Sequence, residues 1–558
     1  MIESMWVKIL ILHGWLLLYG LAPAAGAEGG CQSRLQAVVG AAAEAPALRR
    51  AHRGLGDELV NLYQASGWGP LWWRGGEPTP QAMVLMQRLI TAERKGLDAT
   101  DYEAHRWSKR LSHGASASPG ECADWSDDVA LSQNALRYVS DLRLGRVDPR
   151  NLGFDLDLAP KRRGFAGLLA RLAEAAEPAA VLDGLEPPFR RYRELLATLP
   201  QYLELARDPR LALPLPEPER SVRPGDPYPA LGSLAFRLAR LGDLDADLVA
   251  DDGKGGVYAG GALVEAVIRF QGRHGLAQDG IIGAKTFAAL NTPPADRLRQ
   301  IGLTLERWRW MPDDLGHRPL VINVPEFRLY AFEPAPDGGY RLALNMDVIV
   351  GKSFPRFQTP VFRGDMSYLV FSPFWNVPES IQRRELAPRI AEDPAYLADN
   401  HFQIVASYAL SAEPLPADSA NLERVLAGEL KLRQAPGPDN ALGVAKFMFP
   451  NNHAVYLHGT PAMGLFSKDK RDFSHGCIRI ADPPRLAAYV LSQEPGWDRA
   501  RVDAVIADGE RRAVSLSRAL AVFVLYGTAV VEPNGPVRFF QDIYGHDRRL
   551  EKALALKR

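Results

Sequence analysis

Between residues 206 and 230 the chain carries proline at positions 209, 214, 216, 218, 224, 227 and 229. Proline has no amide donor and a fixed φ, so neither a helix interior nor a central strand can run through this stretch. What folds before residue 206 and what folds after residue 230 are therefore separate units, joined by a linker or by an extended wrapping segment. A chain of 558 residues is expected to hold about three to five domains. Its 47% apolar and 24% charged residues are the mix of chains that bury cores.

Lys plus Arg and Asp plus Glu each total 66, a formal net charge of zero. That balance lacks the basic excess of a protein built to wrap nucleic acid. Three cysteines (Cys31, Cys122 and Cys477) are too few for a disulfide scaffold or a Cys-rich zinc module. Residues 1–27 read as an export signal or N-terminal anchor: Lys8 precedes the apolar run Ile9–Leu21, and Ala25-Gly26-Ala27 offers a small-residue cleavage site. The run is short for a membrane span. The mature chain is expected outside the cytoplasm, where Cys31 and Cys122 are able to pair.

Apolar spacings of three and four predict a helical module over residues 28–205, with helices at Leu35–Ala45, Ala82–Arg94, Asp127–Leu144, Gly164–Ala175 and Phe189–Leu196. Trp68, Trp72 and Trp73 crowd one corner, for packing rather than for holding a sugar. After the proline-rich stretch, residues 231–292 form a compact unit with helices at Leu263–Phe270 and Thr286–Leu290. Residues 293–317 read as a connecting helix, capped by Thr292 with proline in its first turn. From Leu320 the period becomes that of strands, at Val321–Val324, Phe327–Phe332, Met346–Val350 and Tyr368–Phe371. A β-rich domain is expected over 318–510, interrupted at about 380–445 by a partly helical insertion long enough to act as a lid. Residues 511–558 read as a C-terminal extension. The fold class is multidomain α+β.

Chemistry concentrates in Val455-Tyr456-Leu457-His458-Gly459-Thr460 and Ser474-His475-Gly476-Cys477-Ile478-Arg479. A thiol is a useful nucleophile only as thiolate, and a neighbouring imidazole can supply that. A strand–loop–strand excursion from His458 can return Cys477 beside it. Gly476 suits a tight turn whose amides converge on an oxyanion. Spacing alone leaves two other readings open: a buried structural Cys and His, or a zinc site from His453, His458, His475 and Cys477.

Two resemblances narrow this. Phe270-Gln271, Gly275-Leu276, Asp279-Gly280, Gly283, Thr286 and Ala289-Leu290 resemble the small three-helix peptidoglycan-binding module. The two chemical motifs resemble the signature of the L,D-transpeptidases, cell-wall cross-linking enzymes with a β-rich catalytic domain. Phe374–Ile381, Arg433-Gln434-Ala435-Pro436-Gly437, Asn440-Ala441-Leu442-Gly443 and Lys446-Phe447 extend the likeness. Larger relatives often carry Asp after the first His. Here it is Gly459, whose backbone carbonyl can still orient the imidazole.

The resemblance implies Cys477 as nucleophile and His458 as base. It implies loop and oxyanion roles for Gly476, Gly459, His475 and Ser474, with the amides of Gly476 and Cys477 as donors. Arg479 is implied as a substrate contact, and Tyr456, Trp375 and Phe447 as lining of the groove. No cofactor and no metal are expected. The implied partners are peptidoglycan stem peptides, a donor tetrapeptide and an acceptor diaminopimelate amine, in the periplasm. The alternatives are an L,D-carboxypeptidase or amine-anchoring enzyme on the same scaffold, a zinc-dependent peptidoglycan hydrolase, and a non-catalytic wall-binding protein.

Overall fold

The structure is a computed structural model that describes residues 25–49, 54–113, 125–162, 164–248, 256–259, 261–532 and 535–556. Most of the expected export segment lies outside the described residues; Ala25-Gly26-Ala27 open the helix Ala25–Ala43. Among the described residues no helix is long and apolar enough to cross a membrane. Cys31 is disulfide-bonded, Cys477 is a free thiol, and Cys122 lies outside the described residues.

The N-terminal helices form where the apolar period placed them, with Pro80–Ile90, Ser126–Leu144, Phe165–Glu174 and Arg190–Ala197 as the main members. The tryptophan corner is packing. Trp72 is fully buried and its indole N–H donates to Ser132 Oγ at 2.8 Å. The buried carboxylate of Asp128 accepts from the Leu71 and Trp72 amides (3.1 and 2.7 Å) and from the Tyr63 hydroxyl, as an ion removed from water requires.

The proline-rich segment wraps the small unit that follows. Leu215, Val222 and Tyr228 belong to its core, Pro227–Tyr228 pairs with Gly256–Val257, and Val222 bridges Ile282. Helices Leu231–Arg240, Ala262–Arg273 and Ala284–Leu290 complete it. Gln271 sits at its centre: it donates to Asp279 Oδ1 (2.8 Å) and Ile281 O (3.0 Å) and accepts from the Gly280 amide (2.9 Å).

The connecting helix Pro294–Arg309 starts without the Thr292 cap. Pro293 is the N-cap residue, and the Thr292 hydroxyl instead donates back to Ala288 O. Ile301 and Leu305 are fully buried in a core shared with Tyr192, Leu195 and Phe523, so this helix is a spine between the helical module and the β-rich domain.

That domain is a closed sheet. Its strands are β1 (Leu320–Asn323), β2 (Arg328–Pro334), β3 (Tyr340–Gly351), β4 (Phe362–Phe371), β5 (Ala445–Met448), β6 (Leu457–His458), β7 (Asp472–Ser474), β8 (Ile478–Ile480) and β9 (Arg512–Leu525). They run in the order β7-β3-β8-β6-β5-β4-β9-β1-β2, and β2 pairs back onto β3. Closure leaves no long edge exposed to a second chain. The expected boundary at 510 is corrected here. β9 lies between β4 and β1, pairing antiparallel with one and parallel with the other, and Val522 and Val524 are fully buried. Residues 512–525 thus complete the sheet and are no appendage.

The insertion between β4 and β5 has its own core of Val377, Leu386, Ile390, Leu397, Ile404, Val425, Leu430 and Leu432. A three-stranded sheet (Trp375–Asn376, Phe402–Val405, Lys431–Gln434) backs it. At roughly 1.5–3 kcal/mol per buried aliphatic side chain, that core holds the insertion as a small body beside the barrel.

Candidate active site

Side chains alternate across a sheet, and here the alternation separates core from chemistry. β5 pairs antiparallel with β6, setting Lys446 opposite His458 and Phe447 opposite Leu457. β6 pairs parallel with β8, setting Leu457 opposite Ile478 and His458 opposite Arg479. Phe447, Leu457 and Ile478 are fully buried on one face. Lys446, Tyr456, His458, Cys477 and Arg479 share the other. Phe447 is thereby removed from the groove lining, since register commits it to the core. The Ile478 amide donates to Tyr456 O at 3.1 Å, which brings the half-buried Cys477 beside Tyr456.

The ring nitrogen Nδ1 of His458 donates to Gly459 O at 2.6 Å. A carbonyl can only accept, so the proton sits on Nδ1 and the lone pair on Nε2. Burial, then the positive charge of Arg479, pushes the imidazole down to about 3, with Lys446 adding to the effect. Burial pushes the Cys477 thiol up, opposed by the Tyr456 amide and hydroxyl and by the cations Lys446 and Arg479. The resting pair is a neutral thiol and a neutral imidazole. The thiol donates weakly to Ala454 O, 3.8 Å away.

Ala454 itself is in the left-handed region, at φ 55°, a conformation that costs a non-glycine residue energy and that clusters at functional sites. Asn451 holds it there, donating to Val455 O at 2.8 Å and accepting from the Val455 amide at 3.2 Å. Lys446 lies over the Tyr456 ring with its ammonium 3.8 Å from the centroid. Among the described residues neither Lys446 nor Arg479 has a carboxylate partner, and Arg479 Nε is buried without an acceptor.

The loop before Cys477 is knotted by its own side chains. Gly476 has φ 118°, open to glycine and strained for other residues. Its amide donates to Ser474 Oγ (3.1 Å), and the Ser474 hydroxyl donates to Cys477 O. The Gly476 amide is therefore engaged inside the loop, which corrects its place among the oxyanion donors. Thr359 Oγ1 donates to Gly476 O at 2.8 Å, and Tyr544 from the C-terminal segment accepts from the Thr359 amide at 3.2 Å.

His475 donates from Nε2 to Glu385 on the insertion at 2.6 Å. His453 faces Asp155 of the helical module, 3.3 Å away. Among the described residues no group of three or more His, Cys, Asp and Glu is placed to hold a metal. Trp375 packs its ring on Phe402 at 6.0 Å within the insertion.

Sequence reasoning passed over Lys446 as a functional side chain, although a lysine in the strand Ala445–Met448 signals a polar face. It also missed Glu385, Asn451 and Ala454, for which no local signal exists.

Residues 318–530 match the family model of the L,D-transpeptidase catalytic domain. Residues 57–199 match a scaffold domain, and residues 234–290 match the "Putative peptidoglycan binding domain". Over 255 residues the chain is 32% identical to the "Putative L,D-transpeptidase" of Haemophilus influenzae, covering 46% of this chain and 49% of that protein. It thus spans about half the length of that curated relative. Among solved structures, a fused Zn-dependent amidase/peptidase/peptidoglycan-binding domain-containing protein from Clostridium acetobutylicum is 13% identical, covers 55% of this chain and 99% of its own, with a TM-score of 0.16. Bdellovibrio bacteriovorus Bd1075 is 10% identical over 44% of this chain and 57% of its own, also at a TM-score of 0.16. Superpositions that loose define no shared fold. With the Cys477 motif on its barrel and the model matched across 213 of its residues (318–530), the chain carries the catalytic domain of the L,D-transpeptidase family, joined to a scaffold and a peptidoglycan-binding domain.

Proposed function

We propose that the chain is a peptidoglycan L,D-transpeptidase acting outside the cytoplasm through a Cys477 thioester. The observation that carries the reading is the shared face of β5, β6 and β8: a free thiol, an imidazole with its lone pair on Nε2, and two cations that have no carboxylate partner among the described residues. On that reading Cys477 Sγ attacks the carbonyl that joins the L-centre of diaminopimelate to D-Ala in a tetrapeptide stem. The thiol proton passes to His458 and from there to the D-Ala nitrogen as the C–N bond breaks. The thioester keeps the acyl group activated without ATP. The side-chain amine of a second diaminopimelate then attacks the thioester, His458 takes its proton, and the thiolate leaves, giving a 3→3 cross-link.

Burial of both partners means that charge appears only as the substrate reacts. Lys446 and Arg479 then stabilise the developing negative charge in a site with little water. The Cys477 amide is the oxyanion donor in this reading, Arg479 contacts a substrate carboxylate, and Tyr456 lines the groove. The insertion acts as the lid.

Intact-mass spectrometry after incubation with a carbapenem tests the nucleophile. One added drug mass on the wild type and none on Cys477→Ala is the expected result; an unmodified wild type overturns it. Digested peptidoglycan incubated with the enzyme then identifies the acceptor: 3→3 dimers for a cross-linking enzyme, tripeptide stems alone if water is the acceptor.

A further inference from the structure

The Ser474–Cys477 loop is held from two sides. On the barrel side Thr359 donates to Gly476 O, the Lys352 amide donates to Ser474 O at 2.9 Å, and the Phe357 ring meets His475 edge-on at 4.7 Å. From the insertion comes the His475–Glu385 hydrogen bond at 2.6 Å. These two residues lie 90 positions apart and belong to different bodies.

Glu385 sits in the π-helical turn Gln382–Leu386, a widened turn of the kind found at functional sites. The turn is fixed to the insertion. Gln382, fully buried, donates to Val425 O (3.1 Å) and Leu430 O (2.8 Å) and accepts from the Leu432 amide (3.0 Å). Glu385 therefore moves with the insertion, and His475 with the barrel. The Glu385 side chain is 41% exposed, so water competes for it and the contact can break when the insertion lifts. His475 lies two residues before the nucleophile, and its main chain leads directly into the Gly476 turn that aims the Cys477 amide. A small rotation there redirects an oxyanion donor.

Resting on the reading of Cys477 as the acylated residue, we propose that Glu385 is a positioning residue. Through His475 it holds the nucleophile loop in its reactive shape while the insertion is docked, and so makes acylation depend on docking. The bond is a plain hydrogen bond from an imidazole N–H to a carboxylate oxygen, and an uncharged acceptor of the same size can take its place.

The test uses the full chain as wild type, Glu385→Ala, Glu385→Gln and Arg383→Ala. Arg383 lies on the same turn and pairs with Glu379 at 2.8 Å. Two quantities are read: the second-order rate of carbapenem acylation by intact mass, and hydrogen exchange in the peptide that covers Ser474–Cys477. Glu385→Ala is expected to slow acylation about tenfold and to speed exchange in the loop. Alkylation by iodoacetamide, which needs no oxyanion donor, stays at the wild-type rate. Glu385→Gln recovers most of the acylation rate, and Arg383→Ala behaves as wild type. Unchanged acylation and exchange in Glu385→Ala overturn the proposal. So does an equal loss in all three variants, which would mean that the turn's integrity and not the acceptor matters. A wild type that takes no carbapenem sinks the nucleophile reading instead, and exchange alone then decides whether Glu385 holds the loop.

Discussion

His458 and Arg479 stand opposite each other on the adjacent parallel strands β6 and β8. The register places a guanidinium against the imidazole that shares a sheet face with Cys477, and its charge, added to burial, keeps that imidazole neutral down to about 3. The same guanidinium favours the thiolate. One cation therefore acts on both groups, against a protonated imidazole and toward a thiolate.

The thiol is raised and the imidazole depressed, so no thiolate–imidazolium pair rests in the site at neutral pH. Iodoacetamide alkylation of Cys477 is expected to rise about tenfold per pH unit from pH 6 to 8, following the thiolate fraction. A rate already on a plateau across that range, measured by intact mass, would show a preformed ion pair and contradict this account.

Lys446→Met removes the cation that lies over Tyr456. Without it the Cys477 thiol moves further up and the His458 imidazole is released upward, because Lys446 opposes the first shift and adds to the second. Alkylation at pH 8 should slow about three- to tenfold, while Lys446→Arg stays near wild type. Equal rates for Met and Lys would remove Lys446 from the site's electrostatics.

Gly443 has φ 62°, and a Cβ there would lie 2.6 Å from Thr460 N and 2.7 Å from Gly459 C. Both are backbone atoms and cannot swing aside. Gly443→Ala must displace the very carbonyl that orients His458. Carbapenem acylation is expected to fall by about a hundredfold, with about 1–3 kcal/mol lost from strain. Stopped-flow acylation and a melting curve check both; wild-type acylation would show that the Gly459 carbonyl is not needed.

His274, His458 and His546 are all buried and held neutral, below the value of a free imidazole. The unfolded chain binds protons at these positions from about 6.5 downward, whereas the folded chain does not. Stability is thus fully present above pH 6.5 and is lost as pH falls toward 3, by up to about 1.4 kcal/mol per pH unit for each histidine. Calorimetry at pH 5 in buffers of different ionisation enthalpy should show uptake of about three protons on unfolding from these groups. Uptake near zero would contradict their burial as neutral rings.

Deleting residues 511–558 takes β9 from between β4 and β1. The shortened chain should lose its β-type circular dichroism and its carbapenem adduct together. A folded, acylated product would show that β9 is dispensable to the sheet.

The helices of the first module and the strands of the barrel were legible because both are written in local periodicity. Pro80–Ile90 buries Ala82, Leu85, Met86 and Leu89, the face that its apolar spacing marks. The motif His458–Thr460 with Ser474–Arg479 was legible as chemistry because few residue types make a nucleophile and a base. The sequence by itself thus determined the modular order, the candidate thiol–imidazole pair and the turn at Gly476. Tertiary structure alone decided the register that sets Lys446 and Arg479 on either side of His458, since a two-residue strand carries no register of its own and takes it from its neighbours. It also decided that β9 enters the middle of the sheet, and that Glu385 meets His475 across 90 residues. Such contacts depend on where two separately folded cores come to rest, and no local pattern of residues encodes that.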